Sequence, residues 1–90
     1  MKWRDEVETA AEEDRIVIGT DETIKNKEDV KKIVFASNAP ERLTRKVRDA
    51  FSGSDTEFVE SDFNNKELCS LCGESFTASV VGVEEEESAI

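Results

Sequence analysis

The chain has no histidine, only two cysteines, a single proline and no long apolar run. Each shortage removes a class of function. Without histidine, the serines and cysteines have no evident base to activate them, so covalent catalysis has no support. A zinc ion normally takes four protein ligands, and two cysteines without histidine fall short of that. No apolar stretch approaches eighteen residues, so no membrane-spanning helix is expected. The opening Met1-Lys2-Trp3-Arg4-Asp5-Glu6 lacks the apolar core of a secretory signal. The expectation is a cytoplasmic, non-enzymatic protein with no catalytic residues, no metal and no cofactor.

Cations are scarce as well. Twelve Lys and Arg face 22 Asp and Glu, for a net charge of −10. Such a balance argues at first against a nucleic-acid partner. Its distribution is uneven. Residues 16–50 hold eight basic and six acidic side chains, net +2. Residues 1–15 are net −3, residues 51–83 net −5, and the run of four Glu at 84–87 adds −4. Two readings stand: a solvated acidic surface with ordinary basic helix faces, or a basic middle segment that meets an anion. A salt-rich cytoplasm also favours acidic surfaces, but seven lysines argue against an extreme form of that adaptation.

Ninety residues make one domain, with one core and no room for a deep substrate cavity. A chain of this size buries roughly 60–65% of its unfolded surface. The short apolar runs Ile16-Val17-Ile18, Ile33-Val34-Phe35-Ala36 and Val80-Val81-Gly82-Val83 read as strands. A fourth strand is expected over 57–61 around Phe58 and Val59. Trp3, Val7, Ala10 and Ala11 recur at helical spacing over 3–14. Gly19 ends the first strand, and Thr20 or Asp21 is placed to cap a helix over 21–29, with Ile24 and Val30 on its apolar face. Pro40 suits the first position of a helix over 40–51. That helix has Leu43, Val47, Ala50 and Phe51 on one side and Arg42, Arg45, Lys46 and Arg48 on the other. A last helix begins between Asp62 and Asn65 and stops at Gly73. The order α-β-α-β-α-β-α-β predicts an α/β fold: a three-layer α/β/α sandwich with a central four-stranded mixed sheet. The domain is expected over 1–83, followed by an acidic, disordered tail over 84–90. Ile18, Val34, Phe35, Leu43, Val47, Leu68, Leu71 and Val81 are the expected core.

Cys69 and Cys72 lie three apart in the last helix. They can be small buried hydrophobes beside Leu68 and Leu71, a redox pair, or half of a shared metal site. The first reading predicts reduced, buried, unmetallated thiols.

Three segments carry the strongest signal: Gly19-Thr20-Asp21-Glu22-Thr23-Ile24-Lys25, Ala36-Ser37-Asn38-Ala39-Pro40, and Asn64-Asn65-Lys66-Glu67-Leu68-Cys69-Ser70-Leu71-Cys72-Gly73. A strand that ends at glycine and opens a helix offers free N–H groups to a phosphate. Glu22 can accept from base amino groups, and Lys25 lies one turn on. The same pattern also fits a plain capped helix.

In order and spacing these segments resemble the kink-turn RNA-binding ribosomal protein superfamily, which includes the L30e and L7Ae types. The likeness runs from about Ile16 to Val83 and leans toward the L30e type. Gly19, Glu22, Thr23 and Lys25 match the family's first loop, and Asp21 departs from it. Asn38 and Pro40 match the turn after the second strand. Asn64, Asn65, Glu67 and Leu68 match the following helix start, where Cys69 replaces the usual glycine. The last loop reads Gly73-Glu74-Ser75-Phe76-Thr77. It retains the aromatic but carries Glu74 and Thr77 where the family has cations. The resemblance implies RNA contact through Gly19, Thr20, Glu22, Lys25, Asn38 and Phe76, with Lys27, Arg42 and Lys46 adding electrostatic support. Phe76 stacks on an unpaired base in that reading; as a plain core residue it would not. The implied partner is a kink-turn RNA, ribosomal in origin, together with other ribosomal proteins and no membrane. The implied free state is a monomer. A paralogue that keeps the fold as a protein-interaction module is the alternative, favoured by Asp21, Glu74 and Thr77.

Overall fold

The computed structural model describes residues 3–73 and 78–84. Its elements alternate as α1 (Trp3–Glu12), β1 (Ile16–Ile18), α2 (Thr20–Lys25), β2 (Val30–Phe35), α3 (Glu41–Ala50), β3 (Glu57–Glu60), α4 (Asn65–Leu71) and β4 (Val80–Glu84). The four strands form one sheet in the order β1-β4-β2-β3. β4 runs antiparallel to both β1 and β2, whereas β2 and β3 are parallel, so the sheet is mixed as the sequence predicts.

Strand alternation divides the apolar residues between two faces. On one face Val34, Ala36, Val81 and Val83 pack with Trp3, Val7 and Ala10 of α1 and with Leu68 and Cys72 at α4. On the other, Val30, Ile33, Phe35 and Val80 pack with Val47 and Phe51, joined by Ile24 of α2 and Ala50 of α3. β2 and β4 are covered on both sides, which is why their apolar runs show no polar alternation. The result is the expected three layers, α1 and α4 against the sheet and α2 and α3 behind it.

Two local devices set the second layer. A Cβ on Gly82 would lie 3.0 Å from Thr23 Cγ2 and 3.3 Å from Val30 Cγ1. A larger residue would push α2 off the sheet, so glycine here permits close helix–sheet approach. The fully buried Thr23 fills that space and donates its hydroxyl to Gly19 O at 2.6 Å. On α3, the Arg48 guanidinium lies 5.1 Å from the ring centroids of both Phe35 and Phe58 and 3.0 Å from Glu60 Oε2. It joins the helix to both parallel strands.

Several boundaries differ from expectation. α2 starts at Thr20 and ends at Lys25, and Gly19 at φ 102° takes the N-cap place that Thr20 or Asp21 was expected to fill. Asn26 then closes the helix, with both its backbone and side-chain nitrogens donating to Glu22 O. Val30 therefore belongs to β2 and not to the helix. β2 begins early because Lys32 can be buried there. Its ammonium pairs with Glu6 of α1 and lies 3.7 Å from Glu57 of β3. Pro40 is the N-cap of α3, one place before its expected position. α4 opens with a reciprocal capping box: Glu67 N donates to Asn64 Oδ1 at 2.8 Å, and Asn64 N donates to Glu67 Oε1 at 2.9 Å.

Of the expected core, Val34, Phe35, Val47, Leu68 and Val81 are buried. Ile18, Leu43 and Leu71 are only half-buried. Each sits at a margin: Ile18 on an outer strand, Leu43 in the first turn of α3, Leu71 at the end of α4. β4 reaches Glu84, whose N–H donates to Arg15 O at 2.8 Å. The remaining tail, 85–90, lies outside the described residues. Cys69 and Cys72 are both buried, and Ala78 N donates to Cys69 Sγ at 3.0 Å. Among the described residues, no helix is long and apolar enough to cross a membrane.

Candidate functional site

The start of β4 gathers the loops. Gly19 N donates to Val80 O, and Ala36 N donates to Ser79 O, each at 2.9 Å. The ends of β1 and β2 therefore flank the first residues of β4. The chain returning from the last loop reaches this edge past Cys69, where Ala78 is held. The end of β3 joins through Ser61, whose N–H and hydroxyl both donate to Phe35 O. One edge of the sheet thus carries the Gly19 loop, the Asn38 turn and the return from Gly73.

At this edge α2 presents a free helix start. Thr20, Asp21 and Glu22, its first three residues, have no intrahelical partner for their N–H groups, and among the described residues no side chain caps the helix. Thr20 is half-buried. Glu22 and Lys25 are exposed and lie three apart, on one face. Lys25 makes no ion pair among the described residues. Asp21 is paired: Lys46 Nζ of α3 lies 3.3 Å from its carboxylate. The two α2 and α3 positions that the sequence set apart are thus in contact.

Asn38 is committed structurally. Its Oδ1 accepts from Asn65 N at 3.0 Å, and its Nδ2 donates to Asn65 Oδ1 at 3.3 Å. The side chain ties the turn after β2 to the start of α4, and Ser37 N donates to Phe63 O at 2.7 Å beside it. Sequence reading treated Asn38 and Asn65 as separate motifs. Nothing local to either shows that they form one clasp. The buried role of Thr23 was missed likewise, because a threonine in an exposed-looking helix gives no sign of the glycine opposite.

The structure separates Lys27 from the site. It lies past α2 and lines a groove of about 520 Å³ with Lys31, Phe51, Ser54 and Thr56, at the opposite end of the sheet. This corrects its grouping with Arg42 and Lys46: the six-residue α2 ends before it. Arg42 sits exposed in the first turn of α3, next to the Asn38 turn. Phe76, with Glu74 and Thr77, lies outside the described residues. Among the described residues, no cluster of His, Cys, Asp or Glu could hold a metal ion.

A model of the ribosomal protein L7Ae/L30e/S12e/Gadd45 family matches residues 1–90. The chain belongs to this family. Membership in the L7Ae/L30e/S12e/Gadd45 family makes it a non-enzymatic protein, and the match spans the family without separating the L30e type from the others. No curated protein matches the chain. Among solved structures, a protein of unknown function from Bacillus halodurans is similar at 20% identity and a TM-score of 0.80, covering 93% of this chain and 85% of its own. A 15.5 kD RNA-binding protein from Giardia lamblia is similar at 19% identity and a TM-score of 0.79, covering 96% of this chain and 73% of its own. These likenesses show that the L7Ae-type fold is shared.

Proposed function

We propose that the chain binds RNA of the kink-turn type at the edge formed by the Gly19 loop, the Asn38 turn and the loop after Gly73. It serves in the cytoplasm as a structural component of the large ribosomal subunit or as a ribosome-associated protein of the L30e type, and is monomeric outside its complex. The observation that carries the reading is the pair of bonds from Gly19 N to Val80 O and from Ala36 N to Ser79 O. They draw two family motifs against one strand end. Family membership and the RNA-binding Giardia neighbour support it.

In this reading the free N–H groups of Thr20 to Glu22 meet backbone phosphate. The Glu22 carboxylate accepts from base amino groups, and Lys25 donates to a base edge or a phosphate. Asn38 acts by holding the turn after β2 in register with the start of α4. Phe76 supplies a stacking surface. A titration against a generic kink-turn RNA at two salt concentrations tests this. Lys25→Ala weakens binding by about 1–3 kcal/mol if it contacts a base. Glu74→Lys strengthens binding by adding a cation beside a polyanion.

The exposed Asp21 carboxylate favours a second reading, a protein-interaction module that has lost RNA binding. No binding by the wild type at low salt, with recovery in an Asp21→Asn/Glu74→Lys variant, supports that module. No binding by any variant rejects the RNA site altogether.

A further inference from the structure

We propose that the outer face of α3, carried by Arg42, Arg45 and Lys46, is a second contact surface for the phosphate backbone of a duplex RNA stem lying beside the loop edge. The inference rests on the RNA reading above and extends its footprint. Arg42, Arg45 and Lys46 stand at i, i+3 and i+4, so they share one face of the helix. That face points away from Val47, which is fully buried. All three cations are exposed; the Arg45 side chain is 70% and the Lys46 side chain 57% accessible.

Their position fits a ligand that already occupies the edge. α3 follows the Asn38 turn directly, so Arg42 adjoins the edge. The Lys46–Asp21 contact sets the middle of the helix against the first turn of α2. A stem leaving the edge on this side meets the three cations in succession, about 6 Å apart along the axis from Arg42 to Lys46. Three other cations are occupied. Lys32 is buried against Glu6, Arg15 holds Glu13 and the Glu84 carbonyl, and Arg48 lies over two rings. The partners of Arg45 and Lys46, by contrast, are the exposed carboxylates of Glu41 and Asp21. Exposed pairs of this kind are weak, and a phosphate can replace them.

Two probes test the surface: a kink-turn RNA with short stems, and the same RNA with one stem lengthened by a full helical turn. Between 50 and 200 mM salt, two to three added phosphate contacts make the affinity for the longer RNA fall about ten- to fortyfold more than that for the short one. The variant Arg42→Ala/Arg45→Ala/Lys46→Ala loses that extra salt dependence, so its affinities for the two RNAs fall in parallel with salt. Asp49→Lys, on the same exposed face, raises affinity for the longer RNA only. Equal salt dependence for the two RNAs, or a triple variant that behaves as wild type on the longer one, overturns the proposal and leaves the loop-edge site intact. Failure of the wild type to bind even the short-stem RNA removes both.

Discussion

The two helical layers each bury an apolar cluster against the sheet but face water with opposite charge. α1 carries Arg4 against Asp5, Glu6, Glu8 and Glu12, whereas α3 carries Arg42, Arg45, Lys46 and Arg48 against Glu41 and Asp49. A net charge of −10 describes neither layer. Screening confines each field to within about 10 Å at moderate salt, so a ligand near α3 senses α3 and not the distant acids of α1. Total charge therefore misjudges which partners a small domain can accept. What matters is which helices border the candidate site, and α3 with its basic face is one of them.

The sharpest way to break the contrast is to unseat the second layer. Phe35 is buried under Arg48 and stacks against Phe58 at a centroid distance of 6.0 Å. Phe35→Ala should cost about 3–5 kcal/mol, read by urea unfolding. Gly82→Ala comes next. The added methyl meets Thr23, and overpacking of this kind costs about 1–3 kcal/mol. Because α2 must shift, this variant should also lose RNA affinity in the same titration, whereas a comparable core lesion in the first layer, such as Val7→Ala, should not.

Arg48→Ala removes two ring contacts and an ion pair, for a loss of about 1–2 kcal/mol in unfolding free energy. Arg48→Lys should not restore it, since an ammonium lacks the planar group that lies over both rings. Asp21→Asn has the smallest effect on stability, under about 1 kcal/mol, because its pair with Lys46 is exposed. Its effect on RNA affinity should be a modest gain. A loss would mean that the Asp21–Lys46 contact organises the site instead of competing with the ligand.

Much of this was legible in the chain. The apolar runs at Ile33 and Val80 marked strands because an interior strand has no polar face to interrupt it, and the β-branched run at Ile16 marked the outer strand β1. The start of α4 was expected between Asp62 and Asn65, but the Asn64–Glu67 capping box that fixes it went unread. What else escaped notice was settled by distant residues. Lys32 reads as a surface lysine until Glu6, 26 positions away, is seen to meet it. Val30 reads as a helix residue until its strand partner Glu84 is known. The Asn38–Asn65 clasp and the Thr23–Gly82 contact likewise depend on how the layers pack, which no local pattern encodes. The motif residues themselves were visible, since loop chemistry is written in short segments. Their convergence on one edge was expected only through the family resemblance.

The strand order also constrains the timing of assembly. β4 is the last of the four described strands in chain order, yet it occupies an interior place between β1 and β2. Among the described residues β1 pairs with β4 alone. Until residue 84 is available, β1 stays unpaired, and neither Gly19 nor Ala36 has its hydrogen-bond acceptor. The nascent chain can form the local β2-α3-β3 unit early, because that contact spans few residues. The edge that gathers the Gly19 loop and the Asn38 turn cannot close before synthesis reaches β4. A chain interrupted before β4 therefore leaves the Gly19 loop and the Asn38 turn without the strand that joins them.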